Sequence, residues 1–385
     1  MRILFILHYP PPVHGSSVIG NYIKESHVIN EDFNCRYINL GTSHTIVEIG
    51  RRGFSKLFRY MVLLWQVNKL LLTFRPDLCY FSLNSQGIGF YKDTVILLLV
   101  KILGVRPVYH FHNKGVRLRQ NKVFDNLLYR IVFRKAEVIL LSKYLYPDIC
   151  KYVTENHVHY CPNGIPDRKE LSAWGVKEGM SYSVSGSRYS VGEELKTKDS
   201  NVVRVLFLSH LIRSKGVLVM IDVCALLIER KLDFHCTIAG GAAEMTQEEV
   251  GEIIEEKGLE KYISVVGPKH NEEKIKLLES VDIFVHPSFN DCMPLILIES
   301  MQFKIPIVST FEGAIPDIVE NGVTGFLVPQ KDAAALAEKL ELLILNPELR
   351  IKMGDAGRAK YEREFTLERF ERRMVEILEE VGGKK

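Results

Sequence analysis

The sequence has 385 residues, of which 46% are hydrophobic and 25% charged, so it contains enough apolar material for two globular domains. No window reaches the roughly 18 uninterrupted apolar residues that a membrane-spanning helix needs. The seven cysteines form no Cys-x-x-Cys motif, which favours a reduced, cytoplasmic compartment over a disulfide framework or a zinc site. Residues 1–160 contain 21 Lys and Arg against 10 Asp and Glu, although the net charge is only +3, and this excess indicates an anionic substrate or membrane surface as partner.

In the first half of the chain, short β-branched or aromatic runs alternate with stretches of helical periodicity. The predicted strands are Arg2–Leu7, Phe33–Asn39, Leu78–Leu83, Pro107–Phe111, Val138–Leu141 and His157–Cys161. The predicted helices are Ser17–Ile29, Phe54–Phe74, Tyr91–Leu103 and Lys122–Arg134. Continuous apolar strands are typical of a parallel sheet that helices cover on both faces.

The same alternation starts again after residue 200. Strands are predicted at Val203–Leu208, Phe234–Ala239, Ile263–Val266, Ile283–Val285 and Ile305–Val308, and helices near 217–231, 244–257, 271–280, 294–303 and 332–345. We therefore predict two doubly wound α/β domains, at 1–166 and 202–364, joined by a Ser-, Gly- and charge-rich linker with a mobile excursion at 167–201. The remaining segment, 365–385, is predicted to form a helix that packs back toward the first domain.

Four motifs lie where predicted strands end, which is the edge at which open α/β sheets bind ligands. Pro287 to Met301 has the sequence PSFNDCMPLILIESM, and Leu208 to Gly216 has the sequence LSHLIRSKG. In the first half, Tyr109 to Gly115 is YHFHNKG and Pro11 to Ser17 is PPVHGSS. The last motif is neither a dinucleotide-binding nor a Walker A loop.

Residues 203–330 closely resemble the retaining glycosyltransferases of family 4, and the first half is similar to them at a few loops. The resemblance implies the GT-B fold, in which two Rossmann-like domains face each other across a cleft. It also implies a nucleotide-diphosphate-sugar donor. We expect no cofactor and no metal, because the Asp-x-Asp triplet that holds a divalent cation in another transferase class occurs nowhere in the chain.

The resemblance places Asp291 at the donor sugar and Glu299 on the ribose hydroxyls. Eight helical residues span about 12 Å, whereas two carboxylates that share one glycosidic bond lie roughly 5–9.5 Å apart. The spacing therefore suits acids at opposite ends of a long donor. The backbone N–H groups at the start of the following helix are expected to face the diphosphate, and they belong to Met293, Leu295 and Ile296. The alternative is a solvated acid followed by an ordinary helix N-terminus.

By the same resemblance, Lys215 neutralises the departing diphosphate. His210 departs from the family pattern, which usually has Arg there, and it carries less charge at pH 7. Arg213 is the residue that we expect to compensate for this departure. The alternative is a cationic loop without a ligand.

In the first half, His112 matches the active-site histidine of the family, which contacts the donor sugar. Gly15 and Ser16 stand where the family often has Gly-Gly, and a glycine there lets the backbone approach the phosphate end of the donor. The alternatives are a structural histidine and a plain turn between a strand and a helix.

The expected reaction is transfer with retention of configuration to a glycan or polyprenyl-diphosphate-linked acceptor in bacterial cell-surface polysaccharide synthesis. Residues 51–75 combine cations with Phe54, Phe58 and Trp65, which predicts either a sheet-covering helix or an interfacial helix on the inner face of the membrane. We expect no nucleic-acid partner. Two other functions stay open: a sugar-nucleotide epimerase of the same fold, and a non-catalytic membrane-associated binding module.

Overall fold

The computed structural model describes residues 1–11, 13–41, 54–167 and 202–383. The chain forms two compact units: Met1–Ile165 with Phe365–Lys385, and Pro166–Glu364. Most of the predicted linker, from residue 168 to residue 201, lies outside the described residues, as do Arg51 and Arg52 of the predicted interfacial segment.

The first unit contains a six-stranded parallel sheet with the order β2-β1-β3-β4-β5-β6. Its strands are β1 (Arg2–Leu7), β2 (Asn34–Asn39), β3 (Leu78–Ser82), β4 (Arg106–Phe111), β5 (Glu137–Leu140) and β6 (Val158–Tyr160). The central strand β1 is paired on both sides, with Ile3 opposite Cys35 of β2 and Leu78 of β3. Its side chains from Ile3 to Leu7 are buried, as the uninterrupted apolar run predicts.

Within the described residues, six α-helices precede β7 in chain order. They are α1 (Gly15–Glu25), α2 (His27–Asp32), α3 (Phe54–Thr73), α4 (Gly87–Ile102), α5 (Val116–Arg119) and α6 (Val123–Phe133). The sequence predicted one helix over Ser17–Ile29, which is wrong. Ser26 has an extended backbone and its side chain accepts the N–H of Ile29 at 3.2 Å, so this residue ends α1 and caps α2.

The strand order distributes these helices over the two faces of the sheet. The connections β2–β3, β3–β4 and β4–β5 step in one direction, and right-handed crossovers place α3, α4 and α6 on the same face. The connection β1–β2 steps the other way, so α1 and α2 cover the opposite face. The C-terminal helix, Leu367–Gly383, contacts α2 and joins that second layer. Along the described parts of the chain, no helix combines the length and apolarity needed to cross a membrane.

The second unit has its own parallel sheet, with the order β12-β11-β10-β7-β8-β9. Its strands are β7 (Val203–Leu208), β8 (Phe234–Ala239), β9 (Ile263–Val266), β10 (Ile283–His286), β11 (Ile307–Thr310) and β12 (Gly325–Val328). Its helices are α7 (Val217–Glu229), α8 (Gln247–Glu256), α9 (Asn271–Glu279), α10 (Leu295–Gln302), α11 (Ile315–Ile318), α12 (Ala333–Leu345) and α13 (Pro347–Glu364). Helix α7 packs against α12 through a buried core that includes Leu227 and Leu340, and this core fixes the strand exits from which the site is built.

Candidate active site

Two loops of the second unit are held against each other at the exits of β7 and β10. After β7, a short 3-10 turn at Arg213–Lys215 ends at Gly216, which has a φ of 88°. A Cβ atom at Gly216 would lie 2.3 Å from the carbonyl oxygen of Pro287, so only glycine permits this approach. The N–H of Phe289 donates to the carbonyl of Ser214 at 2.9 Å. The loops are therefore joined backbone to backbone, which places Lys215 beside Asp291.

The ammonium of Lys215 lies 2.6 Å from Oδ2 of Asp291 and 3.3 Å from the carbonyl oxygen of Asn290. Oδ2 of Asp291 also lies 3.0 Å from Nε2 of His286, whose side chain is almost completely buried. Burial alone would raise the pKa of Asp291, but the hydrogen bond with His286 and the charge of Lys215 hold it well below its usual range. Asp291 is thus a carboxylate at neutral pH.

The exit of β11 supports the backbone of this loop. Glu312 accepts the N–H of Asp291 at 2.8 Å through one carboxylate oxygen, and its other oxygen accepts Nε2 of Gln330 at 2.6 Å. Gly313 has a φ of 52°, and a Cβ atom there would lie 2.5 Å from the carbonyl oxygen of Asp291. The position of Asp291 is therefore determined by three strand exits, those of β7, β10 and β11.

Glu299 lies on α10, one turn beyond the start of that helix. Its Oε2 is 2.7 Å from Nζ of Lys274 on α9, so this predicted ribose acid makes a different ion pair from that of Asp291. Pro294 caps α10, and Leu295 and Ile296 form its first turn, directly after Met293. The N–H groups of a first helical turn have no partner within the helix. The structure thus places the start of α10 between Asp291 and Glu299 in the chain.

His210 and Arg213 lie on the β7 loop before Lys215. Burial lowers the pKa of His210, and the charges of His270 and Lys215 act in the same direction against a backbone hydrogen bond to Gly241. His210 is therefore neutral at pH 7 and does not replace the charge of an arginine. Arg213 uses its backbone N–H to bind the carboxylate of Glu244 at 3.0 Å.

The first unit contains the other three predicted site residues. Gly15 begins α1, and the space where its Cβ atom would lie is open. The hydroxyl of Ser16 lies 3.0 Å from Nδ1 of His14. The same ring nitrogen accepts the N–H of Ser17, so His14 caps α1. This loop follows β1.

His112 follows β4 and belongs to a histidine cluster, by which we mean His8, His14, His110 and His112. The ring centroids of His110 and His112 are 4.2 Å apart, and those of His8 and His14 are 5.7 Å apart. Burial, followed by the nearby His8 and His14, lowers the pKa of His112 to about 3. Burial and His14 lower the pKa of His8 to about 4. The imidazoles of this cluster are neutral at pH 7.

Sequence reasoning missed several partners in both units. It did not identify His286, although this residue directly precedes the Pro287-Ser288 motif. The hydrogen bond from the Asp291 N–H to Glu312 could be found only in the three-dimensional structure. For the histidine cluster, one signal was available: the exits of β1 and β4 both carry histidines. Throughout the parts of the chain that the structure describes, no group of three or more His, Cys, Asp or Glu side chains is arranged to hold a metal ion.

The two parallel six-stranded sheets, each accompanied by helices, confirm the prediction of two doubly wound α/β units. A glycosyltransferase from Rickettsia africae ESF-5 aligns with 100% of this chain and 99% of its own length, with a TM-score of 0.71 and 18% identity. Anabaena Alr3699/HepE in complex with UDP aligns with 99% of this chain and 100% of its own, with a TM-score of 0.70 and 17% identity. These likenesses show the fold alone.

Residues 193–360 match the family model of the glycosyl transferases group 1. The amylovoran biosynthesis glycosyltransferase AmsK of Erwinia amylovora is 33% identical over 196 residues, which cover 49% of this chain and 48% of that protein. The capsular polysaccharide biosynthesis glycosyltransferase CapM of Staphylococcus aureus is 24% identical over 307 residues, covering 77% and 76%. The chain spans about half the length of the first of these relatives.

Proposed function

We propose that the chain is a metal-independent glycosyltransferase that moves a sugar from a nucleotide-diphosphate-sugar, with retention of configuration, to a glycan or lipid-linked acceptor in bacterial cell-surface polysaccharide synthesis. The observation that carries this proposal is the Lys215–Asp291 pair, 2.6 Å apart at the exits of β7 and β10 and next to the start of α10. The pair lies within the residues that match the group 1 family model, which supports the proposal. The relatives named for amylovoran and capsular polysaccharide biosynthesis support it as well.

In the proposed reaction, Lys215 stabilises the leaving diphosphate. Without a donor, its ammonium is held by Asp291 and by the carbonyl of Asn290. A diphosphate carries more negative charge than one carboxylate, so it competes for the ammonium as negative charge builds up on the β-phosphate. The N–H groups of Leu295 and Ile296, in the first turn of α10, provide further donors for the same anion. Lys215 and these N–H groups would replace the metal ion, which is the basis for proposing metal independence.

The charge state of Asp291 restricts its role. A carboxylate with a pKa held well below its usual range accepts hydrogen bonds from sugar hydroxyls, but it does not supply a proton to the leaving group. The proton of the acceptor hydroxyl would then pass to the departing phosphate on the same face of the sugar, which retains the configuration. His286 and Glu312 act as positioning residues, because they hold the side chain and the backbone of Asp291.

The remaining predicted residues bind rather than react in this proposal. Glu299 would exchange Lys274 for the ribose hydroxyls. In the first unit, neutral His112 would donate a hydrogen bond to a sugar hydroxyl, which an imidazole does without gaining charge. Gly15, Ser16, His210 and Arg213 would contribute contacts to the phosphate end of the donor.

For the acceptor, we propose presentation at an anionic membrane surface, with the enzyme on the cytoplasmic side. Large exposed apolar side chains on α3 support this: Phe58 is 71% and Trp65 is 61% exposed, and Lys56 and Arg59 lie on the same helix. Helix α3 also covers the sheet, through buried Leu63, Val67 and Leu71, but that role alone needs no such aromatic exposure, whereas an interfacial helix does.

The test is a donor screen that measures nucleotide release from sugar nucleotides, with and without a mixture of lipid-linked acceptors, in the presence and absence of EDTA. We expect release that depends on the acceptor and is indifferent to EDTA. Isomerised donor without transfer would identify an epimerase instead. Absence of turnover with every donor would favour a binding module, and activity that EDTA abolishes and Mn²⁺ restores would contradict metal independence.

A further inference from the structure

A basic pocket lies in the first unit, away from the strand exits described above. Arg130, Arg134, Lys151 and Tyr152 line this concavity of about 330 Å³. Helix α6 runs from the carboxyl end of β4 toward the amino end of β5, so Arg130 and Arg134, in and after its last turn, lie at the amino edge of the sheet. His112 follows β4 at the opposite, carboxyl edge. The basic pocket is therefore separate from the histidine cluster.

The walls of the basic pocket are fixed by contacts behind them. The ring of Tyr152 stacks on Phe133 with centroids 5.8 Å apart and planes within 15°. Its hydroxyl donates to Oδ1 of Asn126 at 2.8 Å. The ammonium of Lys151 donates to the carbonyl of Gln120 at 3.2 Å and lies 5.5 Å from the centroid of the Tyr152 ring. Two of the four lining side chains are thus held in place before any ligand arrives.

The cations of the basic pocket are not neutralised by the acids near them in the chain. Between residues 114 and 153 the acids are Asp125, Glu137 and Asp148. Asp125 binds Arg119 at 3.1 Å, Glu137 binds two histidines, and Asp148 accepts backbone N–H groups of residues 115–117. Each of these three acids is therefore committed to another partner, and Glu155, four residues after Lys151, interacts with Tyr160.

The arrangement of the two arginines also favours a bound anion. Arg130 lies in the last turn of α6, Arg134 is the residue that ends this helix, and both line the same concavity, so two like charges stand together at one helix end. The negative end of the helix dipole favours a cation in the last turn. It does not account for a third cation, Lys151, that converges on the same concavity from another segment.

We propose that the basic pocket is a second anion site, which binds a phosphate or diphosphate group independently of the donor site in the second unit. The forked guanidinium groups of Arg130 and Arg134 each bind two phosphate oxygens, Lys151 adds a point charge, and Tyr152 closes one side. The phosphate belongs either to a soluble ester or to a lipid headgroup. This site goes beyond the proposed transferase activity and does not depend on it.

The soluble source is tested by calorimetric titration of the full chain with pyrophosphate. The Lys215→Gln substitution is present throughout, to weaken binding of the probe at the donor site. We expect Arg130→Gln/Arg134→Gln to weaken binding at least about tenfold, because two charge-assisted contacts are lost. The matched control, Arg117→Gln/Lys122→Gln, removes the same charge from the same unit and should change binding less than about twofold.

The lipid source is tested by co-sedimentation with phosphatidylcholine vesicles that contain either phosphatidic acid or phosphatidylglycerol at equal charge. A headgroup site predicts preference for the phosphomonoester of phosphatidic acid, and loss of that preference in Arg130→Gln/Arg134→Gln. Lys151→Gln should act in the same direction, more weakly, should the double variant fail to fold. The proposal is overturned when neither probe distinguishes the pocket variants from the matched control. UDP binding with Lys215 intact should survive all these changes, which separates this test from that of the transferase activity.

Discussion

In the second unit, charged side chains pair at and near the strand exits: Lys215 after β7 pairs with Asp291 after β10, and Glu299 of α10 pairs with Lys274 of α9. At the exits of β1 and β4 in the first unit, the polar side chains are imidazoles that burial keeps neutral. Both sheets are parallel and use the same edge. The difference therefore comes from the side chains that surround each exit, and it suits the second unit to phosphate groups and the first to uncharged hydroxyls.

The largest expected effect comes from removing a charged side chain at the strand exits of the second unit. Lys215→Ala should lower turnover by about 10²–10³-fold, because it removes the cation that faces the leaving diphosphate. The measurement is kcat with the donor identified in the screen. Lys261→Ala, which removes an exposed lysine of the same unit, is the control and should leave kcat unchanged. Unchanged turnover in a folded Lys215→Ala protein would remove Lys215 from the site.

The second charged pair, Glu299 with Lys274, can be tested by substituting either residue. Glu299→Ala should weaken the binding of free nucleoside diphosphate by about 1.5–3 kcal/mol, the value of a charged hydrogen bond, which is roughly 10–150-fold in Kd. Lys274→Ala breaks the same 2.7 Å pair from the other side but leaves the carboxylate available to ribose. Calorimetry should therefore show no loss for Lys274→Ala. Equal losses in both variants would mean that the ion pair matters only for structure.

The sequence predicted the type of most elements, since continuous apolar strands and amphipathic helices are local patterns. It missed β12, whose four residues begin with Gly325 and gain their identity only by pairing with β11. It also missed the break at Ser26. Asp291 and Lys215 were both singled out by their motifs, but 76 residues separate them, so their contact needed the tertiary structure. The neutrality of the histidine cluster likewise follows from burial, which no spacing reveals.

The two faces of the first sheet extend the comparison to the membrane. Helices α3 to α6 carry 14 of the 23 large apolar side chains exposed in the described residues, whereas α1, α2 and the C-terminal helix carry none. This asymmetry predicts that the face formed by α3, α4 and α6 meets the lipid. Lys56→Gln/Arg59→Gln should weaken co-sedimentation with anionic vesicles up to about 30-fold, since each cation near such a surface contributes about 1 kcal/mol.

Salt and a second variant supply the controls for this membrane prediction. Binding should decrease as the ionic strength rises, because exposed charges are screened. Arg369→Gln/Arg372→Gln changes the same charge on the C-terminal helix, which covers the opposite face, and should bind vesicles like the wild type. Binding that is indifferent to Lys56 and Arg59 would favour a soluble acceptor.

The smallest expected effect is a difference in how strongly acid lowers the stability of the protein. It tests whether the histidine cluster of the first unit is neutral. His8 and His112 have pKa values lowered to about 4 and about 3 in the folded protein, so between pH 6.5 and 4 the unfolded chain binds protons that the folded chain does not. Their contribution to stability is therefore complete at neutral pH and is lost as the pH falls below about 6.5. The paired carboxylate of Asp291 behaves differently, because its lowered pKa keeps its contribution intact until the pH falls below the usual Asp range.

The measurement is the unfolding temperature at pH 7 and pH 5 for the wild type and for His8→Gln/His112→Gln. We expect the wild type to lose more on acidification, with a difference between the two proteins on the order of 5 °C. Burial raises the pKa of Asp93, in the same unit, to about 7, which opposes the histidines, but this contribution is present in both proteins and cancels in the difference. The same acid sensitivity in both proteins would show that the imidazoles are free to take up protons in the folded state. The first unit would then present a cationic edge below pH 6, and the contrast with the second unit would hold only at neutral pH.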